Sequence, residues 1–275
     1  MVRSVTSAEQ LKTYVDTWWS SVQDLLTLLE ELSETDWDQP TDLPGWDVRA
    51  VASHVAHLEG LTAGAPREDA SVPESAHIKS PMGQFTEIGV ITRRDAEPAS
   101  IIDEIRRYTA VRHDELLASP PEDPAAPASG IFGALGWTTG KLLRNRPLDL
   151  WLHEQDIRRA TGRPGNLDSP GALHTADYLL EGVGFVLAKK AACAPGTSVV
   201  VEVEGHAPYA FTVTKEGKGV PVAAPVAAPT VTLSTDRETY VLLTGGRASG
   251  DPAKVEITGD TAIGTKIVEN LNITP

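Results

Sequence analysis

The sequence predicts an α+β protein: a four-helix bundle over residues 1–165, then a smaller domain of mixed strands and helices over residues 166–275. Three observations predict it. Apolar residues at helical spacing dominate the first two-thirds of the chain, TGRPGNLDSPG interrupts that pattern near Gly162–Ser169, and short alternating segments follow. A length of 275 residues is more than one compact core usually takes and suits two domains.

The first helix runs over residues 8–32, with Leu11, Val15, Trp18, Val22, Leu25, Leu26, Leu29 and Leu32 on one side. Thr6, Ser7 and Glu9–Gln10 make a capped start for it. The prolines and glycine of TDWDQPTDLPGWD form a loop, and Asp47 caps a second helix through VRAVASHVAHLEGL. Residues 63–98 show weak periodicity and read as a long loop holding one short helical piece around Gln84–Ile91. A third helix spans Ala99–Ala118, and PPEDPAAPASG breaks the chain. A fourth covers Gly133–Thr161, where Pro147 either bends the helix or marks its true start. Beyond the boundary, a helix over Gly171–Ala192 leads to TSVVVEVEG and PYAFTVTKEG, which read as a hairpin. PTVTLSTD and KVEITGD are further strands, DRETYVLLTGG and DTAIGTKIVENL are helices, and VPVAAPVAAP is a loop.

Composition excludes several classes of function. The formal charge is −14, from 38 acidic against 24 basic side chains, and such a surface repels nucleic-acid phosphates and anionic lipid heads. Neither nucleic acid nor membrane is an expected partner. The single cysteine, Cys193, allows no intramolecular disulfide and no cysteine-rich zinc site. The N-terminus has no apolar stretch of signal-peptide length, so a reducing cytoplasm is the expected compartment.

Seven histidines are present, and their placement is informative. His54 and His57 share the second helix, three residues apart; Asp149, His153 and Asp156 line one face of the fourth, among Leu148, Leu150, Trp151, Leu152 and Ile157. A borderline-soft divalent ion such as zinc takes neutral imidazole and carboxylate, and three protein ligands leave a position open for water or substrate. Asp149 and His153 would supply two ligands, with His54 the best-placed third. Spacing alone leaves other readings open. Asp and His four apart on a helix also pair with each other or face solvent, Asp156 can orient His153 or pair with Arg158 or Arg159, and Arg144 and Arg146 either attract an anionic substrate or sit as a solvated pair. Trp46 and Trp151 read as core.

TDLPGWDVRAVASHVAHLEG, followed about a hundred residues later by DLWLHEQDIRRATGRPG, resembles the mycothiol-dependent maleylpyruvate isomerase family. The resemblance covers the whole chain. It implies a DinB-like metal-binding bundle followed by a sterol-carrier-like α+β domain. It also implies a zinc-type ion held by a histidine matching His54, an acid matching Asp149 and a histidine matching His153. The acid is aspartate here, where the isomerase has glutamate. An arginine in an L-T-G-R segment of the family's C-terminal domain is implicated in activity; LTGGR, one glycine longer, offers Arg247. From its place one turn from His54, His57 either acts beside the ion and lines the site or is packed at the helix edge.

The resemblance further implies thiol chemistry. A metal-bound thiolate of mycothiol would attack a small electrophilic substrate, giving isomerisation or S-transfer, in a monomer or small homo-oligomer. Two other classes remain: a hydrolase in which the same ligands activate water with His57 as base, and a non-enzymatic ligand-binding protein.

Overall fold

The structure is a computed structural model that describes residues 6–224 and 226–274. The chain divides into two compact units, residues 1–166 and 167–275.

In the first unit, four long helices form the bundle: α1 (Ser7–Glu30), α2 (Val48–Thr62), α4 (Pro98–Ala118) and α6 (Thr139–Ala160). Helix α1 packs on α4 and α6, and α2 on the same two partners, so each stripe of apolar residues meets another. Trp18, Leu25, Val51, Ile105, Leu150 and Ile157 meet in the core. The predicted caps are in place: Thr6 and Glu9 form a reciprocal capping box on α1, and Asp47 accepts the Ala50 N–H at 2.7 Å to start α2. Every residue of α2 except Arg49 is buried, including its polar ones.

One loop expectation and one helix expectation are corrected here. Residues 63–98 contain a helix longer than expected, α3 (Pro81–Thr92), which packs against α2. Ser80 accepts the Gly83 N–H and Pro81 occupies the first turn, a start signal the weak periodicity behind it obscured. The predicted helix over Gly133–Thr161 is two helices. A short α5 (Gly130–Ala134) ends before Gly136, whose φ of +76° turns the chain, and Thr138 caps α6 afresh by accepting from Lys141. Pro147 does not mark a start; it lies inside α6, where it removes one backbone donor from a buried helix.

In the second unit, β1 (Ser198–Val203), β2 (Tyr209–Val213), β3 (Gly219–Val222), β4 (Val231–Thr235) and β5 (Glu256–Gly259) form one sheet in the order β3-β2-β1-β4-β5. The predicted β1–β2 hairpin is present, antiparallel, with Val199 opposite Phe211; β1 and β4 run parallel. Strand β3 occupies part of the segment expected to be a loop; residue 225 of that segment lies outside the described residues. The helix expected over Gly171–Ala192 is α7 (Pro170–Glu181), a single turn α8 (Val183–Phe185) and a π-turn over Val186–Lys190. A close backbone approach accounts for the break. A Cβ on Gly184 would meet the Gly219 carbonyl oxygen at 2.6 Å, so two glycines let this helix lie against the start of β3. Helices α9 (Arg237–Thr244) and α10 (Thr261–Val268) complete the unit. Among the described residues no helix is long and apolar enough to cross a membrane.

Candidate metal centre

Helices α2 and α6 pack side by side in the bundle, and the sequence puts imidazole on both. His54 is 4% exposed and His153 7%, so neither ring is solvated. Asp149 stands one turn before His153 on α6 and keeps 20% of its side-chain surface exposed. His54 Nε2 lies 3.6 Å from Asp149 Oδ2, and His153 Nε2 lies 3.7 Å from Asp149 Oδ1. The two imidazoles meet edge-on, with centroids 4.8 Å apart.

These separations are too long for hydrogen bonds. Two ligands bonded at about 2.1 Å to a tetrahedral centre stand about 3.4 Å apart, and each imidazole stands near that distance from one oxygen of Asp149, His54 from Oδ2 and His153 from Oδ1. One donor atom from each residue lies within 4.8 Å of the others, and among the described residues no other group of acids, histidines and cysteine does this. The donors fit a borderline divalent ion, with two neutral nitrogens and one carboxylate.

The protonation states agree. Burial pushes the His54 imidazole down to about 4, which keeps the ring neutral and one nitrogen lone pair available near neutral pH. Burial would raise the Asp149 carboxyl, but the Arg146 guanidinium, then His153 and His54, hold it well below the usual carboxylate range. His153 turns its other nitrogen, Nδ1, to Asp156 Oδ2 at 3.2 Å, and Arg159 Nη2 donates to Asp156 Oδ1 at 2.7 Å. An imidazole fixed through Nδ1 to a carboxylate presents Nε2 as the ligand atom. Asp156 therefore orients His153 and pairs with Arg159 at once, while Arg158 bonds Glu154. His54 Nδ1 is buried without a hydrogen-bond partner, so its ring is held by packing.

His57 does not join the donor set. Its Nδ1 lies 3.0 Å from Glu68 Oε2, its Nε2 is buried without a partner, and its ring sits 5.6 Å from Phe85. Burial lowers its pKa, with Glu68 opposing that shift. A neutral ring is the result. Arg93 holds Glu68 in place through Nη1 at 2.9 Å and Nη2 at 2.5 Å, and Gly89 lets α3 lie directly on the His57 side chain. Arg247 follows α9 in the second unit, 8% exposed, with Nη1 donating to the Gly245 carbonyl at 2.6 Å.

Two expectations are corrected at the site. Arg146 is not solvated; it is 4% exposed and paired with Glu59 and Asp149. Trp46 packs against the core but is only half-buried, and its ring centroid lies 5.0 Å from that of His54 and 6.2 Å from that of His153. Its Nε1 donates to Glu87 Oε2 at 2.9 Å, so the indole is a fixed wall of the site. Trp151 is core, as expected, 1% exposed. Glu59, Glu68 and Glu87 escaped the sequence reading, although an acid within the apolar run of α2 is itself a signal of a buried partner.

Residues 18–158 match the family model described as the mycothiol maleylpyruvate isomerase N-terminal domain, and residues 173–263 match that of the MDMPI C-terminal domain. No curated protein sequence matches the chain. Two solved structures share its fold: the mycothiol-dependent maleylpyruvate isomerase, at a TM-score of 0.53, and a histidine-to-alanine mutant of that enzyme, at 0.54. Each is 16% identical, with 90% of this chain and 92% of that chain covered. With both of its domains matched in order, the chain belongs to the mycothiol maleylpyruvate isomerase family.

Proposed function

We propose that the protein is a zinc-type metalloenzyme that uses mycothiol to isomerise, or to transfer sulfur to, a small electrophilic substrate. The observation that carries this reading is the spacing of His54, Asp149 and His153, at shared-ligand distances in a member of a mycothiol-dependent family. A divalent ion held there would favour the thiolate form of a thiol, its nucleophilic form. The protein needs no nucleophile of its own. Burial raises the Cys193 thiol pKa, which suits an unreactive side chain in a reducing cytoplasm.

The chain's own residues shape the reaction space. Trp46 walls off the two ligand histidines from one side. His57, one turn from His54 on α2 and held through Nδ1 by Glu68, keeps Nε2 without a partner, and we assign that nitrogen to proton exchange. Arg247 we assign a part in activity on family grounds alone. The covalent steps balance without an oxidant. The sulfur–carbon bond forms as the alkene π bond opens, and rotation followed by sulfur departure restores the alkene in the other geometry. If a proton is taken up at carbon instead, the sulfur stays and the outcome is S-transfer.

The test is to incubate zinc-loaded protein with mycothiol and a panel of electrophilic alkenes that includes maleylpyruvate, following products by mass spectrometry. Mycothiol-dependent isomerisation or adduct formation is expected. His57→Ala should lower turnover by about 10-fold or more, the lower range for a positioned acid–base group being about 100-fold, while leaving the metal in place. Ester or amide turnover without thiol would instead establish a metal-activated water. No turnover of any substrate, in protein that binds metal and folds, would leave a ligand-binding role.

A further inference from the structure

Beside the donor set lies a buried ion pair that the proposed reaction does not use. Glu59 is fully buried and Arg146 is 4% exposed. Arg146 donates to Glu59 Oε1 through Nε at 2.9 Å and Nη2 at 2.6 Å, and Trp18 Nε1 donates to Glu59 Oε2 at 3.2 Å. The same Nη2 stands 3.1 Å from Asp149 Oδ2, the oxygen that faces His54 Nε2. As a stabiliser of the fold such a pair has little to recommend it, because desolvation offsets the attraction and apolar residues of similar volume often serve as well.

Charge gives it a purpose. Arg146, Glu59 and Asp149 together carry one net negative charge, and the two ligand imidazoles are neutral donors. A dication raises the total to one positive charge, which a single thiolate cancels. Without Glu59, the guanidinium would cancel Asp149 and a dication would enter a region with no net attraction for it. Without Arg146, two carboxylates would face the ion, and no positive charge would be left for an anionic ligand. Inside a protein each such unit counts for far more than in water.

We propose that Glu59 and Arg146 are positioning residues that set the dication affinity of the centre through their charges. Arg146 weakens it and Glu59 restores it. The inference rests on the metal-centre reading and goes beyond it, because it assigns opposite signs to two partners in one salt bridge.

The test is zinc affinity, measured by competition with a chelating indicator, for wild type, Glu59→Gln, Arg146→Met and the double variant, with circular dichroism as the check on folding. Glu59→Gln is expected to bind zinc at least about 10-fold more weakly, Arg146→Met at least about 3-fold more tightly, and the double variant within about 3-fold of wild type. If a single variant does not fold, the double variant decides, since it replaces the pair by neutral groups of similar length. Weaker binding by both Arg146→Met and the double variant would overturn the inference, because the pair would then be holding Asp149 in place. Wild-type protein that takes up no zinc would overturn the metal-centre reading, and this inference with it.

Discussion

His54→Ala and His153→Ala are each expected to abolish retention of a divalent ion. Loss of one donor leaves two protein ligands at a site built from three. Losing an outer partner of a metal ligand already costs about 10- to 100-fold in affinity, so losing a ligand should cost more than about 100-fold. The fold should survive both changes. Removing His54 takes away a ring whose Nδ1 has no hydrogen-bond partner, and removing His153 frees Asp156, which keeps its bond from Arg159. Metal analysis after gel filtration, beside a thermal melt, separates loss of the ion from loss of the fold. His57→Ala is the control. Metal loss in that variant equal to the other two would place the ligand on the wrong histidine of α2.

Asp149→Asn should weaken metal affinity by about 10-fold or more, which corresponds to about 1.4 kcal/mol. Asparagine keeps the shape but removes the charge that offsets the dication, and it leaves Arg146 with one carboxylate where it had two. Asp149→Glu should retain the ion, because it restores the residue type the resemblance assigns to this position. Its longer arm must find room beside Trp46 and Arg146, so affinity within about 10-fold of wild type is the expected range. Titration of both variants decides the role of the residue. Wild-type affinity in Asp149→Asn would make Asp149 a hydrogen-bond partner only and move the carboxylate ligand to Asp156, two turns along α6 from Asp149.

Much of this was legible in the sequence, for physical reasons that can be named. Polar residues on an otherwise apolar helical stripe must either find partners or bind something. His54 on α2 and Asp149 and His153 on α6 are such residues, and the packing of α2 on α6 brings them together. Glu59 and Arg146 obey the same rule; Glu59 is omitted from the sequence reading, which puts Arg146 on a solvated face. A lone arginine on a helix usually reaches solvent, and only the tertiary packing shows that Arg146 pairs with Glu59 in the interior. Strand β3 was hidden by Pro221, which reads as a strand breaker. At the edge of the sheet, opposite Phe211, a missing backbone donor is tolerated. The break after α7 depends on Gly184 meeting Gly219, a contact between positions far apart in sequence that no local pattern encodes.

The central claim is that His54, Asp149 and His153 hold one divalent ion, and metal stoichiometry tests it most directly. Protein should be stripped with chelator, reconstituted with zinc or nickel, freed of excess by gel filtration and subjected to elemental analysis. The account predicts about one ion per chain, as three protein ligands with one open position require. Reconstituted, folded protein that carries no metal would contradict it.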